Sequence, residues 1–192
     1  MSSPASPDQK ITQKAIIISA FPCAGKSWLQ HHSHTGYPVL DLDSSRISFL
    51  GDGKPRNPQF KENYLDEIQK FIGQRTVILV STHEELRNGL KDRGLKYSLV
   101  FPERGLKNQW LTRLKKRGDY GLADLLQEDW DKFITGCMNQ KGCEIHPLGS
   151  GQYLSTIIED IERQYWTKLD RFLIKSKGRW LLCLRILKRK MS

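Results

Sequence analysis

The chain has 192 residues, of which 38% are hydrophobic, and it carries a formal net charge of +10. This length and apolar fraction fit one globular domain with a core of its own rather than a disordered chain. The charge is unevenly distributed, because the segment 166–192 holds nine Lys and Arg against one Asp and so accounts for +8 of the total. We therefore expect a flexible N-terminus over 1–14, a nearly neutral domain over 15–165 and a basic tail over 166–192.

Cysteine usage and hydropathy give no sign of a secreted or membrane-spanning protein. The four cysteines are Cys23, Cys137, Cys143 and Cys183. None of them has the C-x-x-C spacing of a zinc site or a redox pair, so free thiols in a reducing cytosol are expected. The segment 1–14 lacks the apolar core of a signal peptide, and the apolar run 180–184 is far shorter than the roughly 20 residues that cross a bilayer. A cytoplasmic protein is predicted.

The stretch 15–29, AIIISAFPCAGKSWL, is the most informative part of the sequence. Its first six residues predict a buried strand, and a helix is predicted from Gly25 to about His32. The turn between them resembles the phosphate-binding P-loop, G-x-x-x-x-G-K-[ST], with Ala20 in place of the first glycine. In that motif loop amides and the lysine contact phosphates, and the hydroxyl holds Mg²⁺. An ordinary turn with an exposed lysine is the alternative.

The P-loop hypothesis assigns roles to individual residues. The predicted nucleotide-binding residues are Cys23, Ala24, Gly25, Lys26, Ser27 and Trp28. Lys26 is also the predicted catalytic cation, and Ser27 is the predicted metal ligand.

A second strand is predicted over 37–43, and it ends with two carboxylates, Asp41 and Asp43. Parallel strands end at the same edge of a sheet as the P-loop, so these side chains can face the γ-phosphate. We predict that both are catalytic, one of them aligning an acceptor hydroxyl or a Mg²⁺-bound water. Capping of the next helix is the alternative for each. Asp43 and the nearby Arg46 are assigned to the substrate site.

The third strand, 76–82, is a second β-branched run, as expected for a central parallel strand. In many P-loop enzymes this strand ends in an aspartate that binds Mg²⁺, whereas here it ends in Ser81-Thr82-His83. The missing carboxylate shifts the metal site toward Ser27 and the second strand. His83 is predicted to meet the substrate, with the start of a helix as the alternative.

A basic helix is predicted over 103–118, with Arg113 and Arg117 one turn apart on the same face. Two guanidinium groups on one helix edge can bind the charge of a transferring phosphoryl group. A solvated basic helix is the alternative, and the P-loop upstream favours the catalytic interpretation.

Strand and helix alternate along the whole predicted domain. The remaining elements are helices over 58–72, 84–93, 122–138 and 153–165 and strands over 96–102 and 143–148. This alternation, without an internal repeat, predicts an α/β fold with a five-stranded, mainly parallel sheet covered by helices on both faces.

With these motifs in their order, the chain resembles the P-loop nucleotide and nucleoside kinase group, in particular the deoxynucleoside monophosphate kinase-like proteins of bacteriophages. The resemblance covers roughly 14–165 and is carried by FPCAGKS, VLDLDSS, VSTHEELRNGL, VFPERGLKNQWLTRLKKRG and GQYLSTIIEDI. It implies a P-loop three-layer sandwich, ATP and Mg²⁺ as cofactors, a lid with Arg113 and Arg117, and an acceptor near Asp41, Asp43 and Arg104. At lower specificity the chain is similar to 5′-hydroxyl polynucleotide kinases.

Three functional hypotheses follow from these residues. The first is a kinase for a small nucleotide, the second a 5′-hydroxyl polynucleotide kinase, and the third a non-catalytic nucleotide-binding module, which Ala20 and the missing carboxylate would fit. The basic tail could contact nucleic acid or an anionic membrane, or it could be an extension without a partner. The sequence does not indicate an oligomeric state.

Overall fold

The structure is a computed structural model that describes residues 12–32, 37–42 and 57–167. Three of the sequence predictions fall outside these ranges: the roles of Asp43 and Arg46, and the partner of the basic tail beyond residue 167.

Five parallel strands form one sheet in the order β2-β3-β1-β4-β5. The strands are β1 (Ile16–Ala20), β2 (Val39–Asp41), β3 (Val77–Val80), β4 (Tyr97–Pro102) and β5 (Glu144–Leu148). The β-branched runs predicted to be buried are the inner strands, and every residue of β1, β3 and β4 is buried. The predicted α/β fold with a five-stranded sheet is confirmed, and all four strand pairings are parallel.

Six α-helices alternate with these strands in the described part of the chain. They are α1 (Lys26–His32), α2 (Phe60–Gln69), α3 (Glu84–Asp92), α4 (Lys107–Arg117), α5 (Tyr120–Met138) and α6 (Leu154–Tyr165). The basic helix is shorter than predicted because its first residues form a separate 3₁₀ turn, Arg104–Leu106. It ends at Gly118, whose φ of 83° is a left-handed cap that glycine adopts without strain.

The strand order determines which side of the sheet each helix covers. The connection from β1 to β2 runs toward one edge of the sheet, whereas the connection from β3 to β4 passes β1 toward the other edge. Right-handed crossovers therefore place α1 and α3 on opposite faces. The loops after β1 and β3 diverge at the carboxyl ends of these strands, which is where open α/β sheets bind ligands.

The two ends of the described domain meet below the sheet's amino edge. The indole Nε1 of Trp166 donates a hydrogen bond to the Lys14 carbonyl at 3.0 Å, and the Trp166 ring packs edge-on against Tyr37 with 4.7 Å between ring centroids. Trp166 is thereby buried and anchors the end of α6 to the start of β1. Within the described ranges, no helix has the length and apolar character needed to cross a membrane.

Candidate active site

The loop between β1 and α1 contains two residues with left-handed backbone. Cys23 has a φ of 59° and Gly25 has a φ of 96°. The amide of Leu154 donates to the Ala24 carbonyl at 2.9 Å, so the start of α6 supports the loop from behind. A Cβ on Gly25 would lie 3.5 Å from side-chain carbons of Tyr153. Backbone conformation, rather than lack of space, is therefore what requires glycine at this position.

Lys26 and Ser27, the first residues of α1, lie beside the ends of two strands. The ammonium group of Lys26 donates to the carbonyls of Ala20 at 2.8 Å and Phe21 at 3.5 Å. The Ser27 hydroxyl donates to Oδ2 of Asp41 at 3.0 Å. The predicted metal ligand and the first carboxylate of the second strand are thus in direct contact.

Two adjoining cavities meet at these residues. The larger has a volume of about 800 Å³ and lies against the ends of β1, β2 and β3, with Asp41, Ser81 and His83 among its lining residues. The smaller has a volume of about 350 Å³ and lies between the P-loop and α4. Lys26, Ser27 and Arg117 line both cavities. A ligand in one cavity would therefore face a ligand in the other across these three side chains.

The two predicted lid arginines have different surroundings. The Arg113 guanidinium lies between the rings of Trp110 and Tyr153, at 4.1 and 3.9 Å from their centroids, and Nη1 donates to the Gln152 carbonyl at 3.2 Å. Arg117 forms an exposed ion pair with Asp119. Arg113 lines the smaller cavity, whereas Arg117 reaches both.

Two residues predicted to contact substrate also have structural partners. Arg104 donates to Asp131 at 2.6 Å and to Thr135 at 2.7 Å, both on α5, and it does not line either of the two cavities. His83 lines the larger cavity, and its ring packs edge-on against Phe60 at 5.5 Å. Its carbonyl also accepts the first hydrogen bonds of α3. The structure thus brings His83, and not Arg104, to the cavity.

Some of the predicted nucleotide-binding residues line the smaller cavity, and another is buried beneath the loop. Cys23, Gly25 and Trp28 line the smaller cavity, whereas Ala24 is buried under the loop. Burial raises the pKa of the Cys23 thiol above its ordinary value, although the charge of Arg117 opposes this effect. This shift favours the neutral thiol over a reactive thiolate.

Sequence reasoning missed one wall of the larger cavity. Four apolar side chains of α5 form it, Leu122, Leu125, Leu126 and Phe133. In the sequence they look like the core-facing residues of any amphipathic helix, since their spacing does not tell a buried contact from a cavity wall. In the sequence, Ser81 stands at the strand end where many P-loop enzymes have an aspartate that binds Mg²⁺. In the structure its hydroxyl is buried in the cavity wall without a hydrogen-bond partner among the described residues.

Comparison with known proteins supports the fold. Neither the protein-family models nor the curated proteins gave a match. Among solved structures, the chain is similar to the crystal structure of a gluconokinase from Sinorhizobium meliloti 1021, with a TM-score of 0.50 and 16% sequence identity. The likeness covers 85% of this chain and 97% of that one. At this identity the comparison supports the predicted three-layer α/β fold alone and does not show a relationship to deoxynucleoside monophosphate kinases in particular.

Proposed function

We propose that this protein is an ATP-dependent kinase that transfers the γ-phosphoryl group to a small nucleotide, a nucleoside monophosphate. The observation that carries this proposal is the position of Lys26, Ser27 and Arg117 at the junction of the two cavities. A phosphoryl donor in the smaller cavity and an acceptor in the larger one would meet at these side chains. The volume of the larger cavity, about 800 Å³, is in the range of small-molecule sites.

The residues at the junction fit Mg²⁺. Ser27 Oγ and Asp41 Oδ2 are hard oxygen donors 3.0 Å apart, and Mg²⁺ in phosphoryl-transfer sites commonly has one or two protein oxygens and several waters. Ser27 and Asp41 would hold the ion. The buried Ser81 hydroxyl would form a hydrogen bond with one of the waters on the ion. Bound Mg²⁺ would neutralise phosphate charge.

Lys26 supplies the positive charge that the transferring group needs. The partners of its ammonium group include two neutral carbonyls, of Ala20 and Phe21. Anionic phosphate oxygens are stronger acceptors than carbonyls, so a bound nucleotide would draw the ammonium group away from them. Arg117 is exposed and held by one acidic partner, which leaves it able to turn toward the same charge.

The acceptor chemistry favours a monophosphate over a hydroxyl compound. Asp41 is the one carboxylate among the described residues that line the larger cavity, and its oxygen already accepts the Ser27 hydroxyl. A hydroxyl acceptor needs a base to take its proton, whereas a monophosphate oxygen is already anionic at pH 7. Its attack on the γ-phosphorus forms one P–O bond as the bond to the β-phosphate oxygen breaks, and ADP leaves.

An ADP-release assay with ATP and Mg²⁺ tests the proposal. The acceptors would be a panel of nucleoside monophosphates, gluconate, because one structural neighbour is a gluconokinase, and a 5′-hydroxyl oligonucleotide. We expect turnover with one or more monophosphates and a loss of about 100-fold or more in kcat for Lys26→Ala. Lys115→Ala, an exposed lysine of α4 that lines neither cavity, is the control and should keep full activity. Turnover with gluconate or the oligonucleotide alone, or full activity of Lys26→Ala, would refute the assignment.

A further inference from the structure

The apolar wall of the larger cavity has no role in phosphoryl transfer itself. Leu125 is 44% exposed and Phe133 is 38% exposed, although both are large apolar side chains. Leu122, one turn before Leu125, is partly buried and packs against the core. All three lie on α5 and line the cavity. They form a partly exposed apolar surface in the same cavity that Lys26 and Ser27 line.

The chemistry of the cavity changes from one end to the other. Lys26 and Arg117 supply positive charge at the junction with the smaller cavity, whereas the α5 wall presents apolar side chains. A ligand that matches both ends has an anionic group and a flat apolar group. A polyhydroxy acid does not match, because hydroxyl groups against this wall would lose their hydrogen bonds to water without gaining others.

We infer that the α5 wall, made by Leu122, Leu125 and Phe133, binds the base of the acceptor nucleotide and sets acceptor specificity. This inference rests on the proposed function. The base packs on the Phe133 ring, the two leucines extend the apolar wall along α5, and the phosphate points to Lys26. Stacking on aromatic side chains is tolerant of base identity because every base has a π-face. The wall therefore selects nucleotides over sugar acids more strongly than it selects one base over another.

Calorimetric binding without ATP separates the base from the phosphate. The two probes are thymidine 5′-monophosphate and 2-deoxyribose 5-phosphate, which has the same sugar phosphate and no base. We expect the nucleotide to bind at least about tenfold more tightly than the sugar phosphate. Phe133→Ala should weaken nucleotide binding about tenfold and leave binding of the sugar phosphate unchanged. Phe133→Tyr, which keeps the ring, should retain most of the nucleotide affinity.

Ile145→Ala is the matched control. Ile145 has the same exposed fraction as Phe133, 38%, but lies on the edge strand β5 and does not line the cavity. Its substitution should leave the affinity for both probes unchanged, and circular dichroism should show that both alanine variants fold. Equal affinity of the wild type for the two probes, or equal effects of Phe133→Ala and Ile145→Ala, would overturn the inference.

The same variants distinguish a failure of the inference from a failure of the proposed function. If the protein is a nucleotide kinase with another base site, ADP release with monophosphates persists and its acceptor KM is unchanged by Phe133→Ala. If the base site is present in a protein that is not a kinase, the base-dependent affinity and its loss in Phe133→Ala remain, and no monophosphate supports ADP release.

Discussion

Substitution by alanine should have different effects at Arg113 and at Arg117. Both were predicted from the sequence as lid arginines, one helical turn apart. In the structure the Arg113 guanidinium is enclosed by two aromatic rings, whereas the side chain of Arg117 is 52% exposed and pairs with an exposed carboxylate. We therefore expect alanine at position 113 to reduce stability, and alanine at position 117 to reduce turnover with little change in stability.

The contacts of Arg113 allow the loss of stability to be approximated. Each cation–π contact at a partly exposed site contributes about 0.5–1 kcal/mol, and the hydrogen bond to the Gln152 carbonyl contributes about 1 kcal/mol. Arg113→Ala should thus lower the free energy of unfolding by about 2–3 kcal/mol, or Tm by roughly 5–10 °C for a chain of this size. The surface ion pair of Arg117 contributes about 0–1 kcal/mol, so Arg117→Ala should change stability little.

Urea unfolding followed by tryptophan fluorescence measures both variants, and the ADP-release assay measures their turnover. Arg117→Ala should lose about tenfold or more in kcat while unfolding at nearly the wild-type midpoint. Arg113→Lys serves as a second comparison, because it keeps the charge and loses the planar group that stacks on both rings. Equal destabilisation by Arg113→Ala and Arg117→Ala would refute the reasoning.

Three further predictions concern other contacts in the structure. Asp41→Asn should raise the Mg²⁺ concentration for half-maximal activity about tenfold, since it removes a charged oxygen beside Ser27; an unchanged Mg²⁺ titration would contradict the metal site. Arg87→Ala should lower the free energy of unfolding by about 3 kcal/mol, because the guanidinium of this buried residue binds three oxygens, including the Gly136 carbonyl, that would lose their partner; a midpoint of urea unfolding close to wild type would argue against this role. Burial lowers the pKa of His146, so the unfolded chain binds its proton more readily, and stability should fall as pH drops below about 6.5; in His146→Gln that part of the pH dependence of the unfolding midpoint should vanish.

The fold could be predicted from the sequence because its signals are local and strong. The apolar run before the P-loop and the run 76–82 have the continuous β-branched character of strands buried on both faces, and both are inner strands. The proximity of Ser27 and Asp41 can also be inferred from the sequence, since parallel strands bring their carboxyl ends to one edge of the sheet. These inferences need only the order of the elements and the direction of the strands.

The side-chain partners of long polar residues could not be predicted in this way. Arg104 was expected at the acceptor and instead binds Asp131, 27 residues further on, because the packing of α4 against α5 decides which carboxylate lies within reach. Arg113 lines the smaller cavity, as a lid arginine should, but its stacking on Tyr153, which belongs to the next strand–helix connection, could not be predicted. Such choices depend on distances between helices, about which the sequence pattern carries no information.

The position of β1 in the middle of the sheet has a consequence for how the chain folds. Its two neighbours are β3 and β4, so both of its pairings join residues about 60 and 80 positions apart in the chain. During synthesis at about 5–20 residues per second, β1 would wait about 4–16 s after its own completion before the last residue of β4 is made. Until β3 is made, about 60 residues after β1, the segment Ile16–Ala20, which is apolar, β-branched and uncharged, has neither of its partner strands. The loop after β1 thus follows a strand that stays unpaired for several seconds during synthesis, and variants that slow pairing of β1 should lower the yield of native protein before they affect its stability.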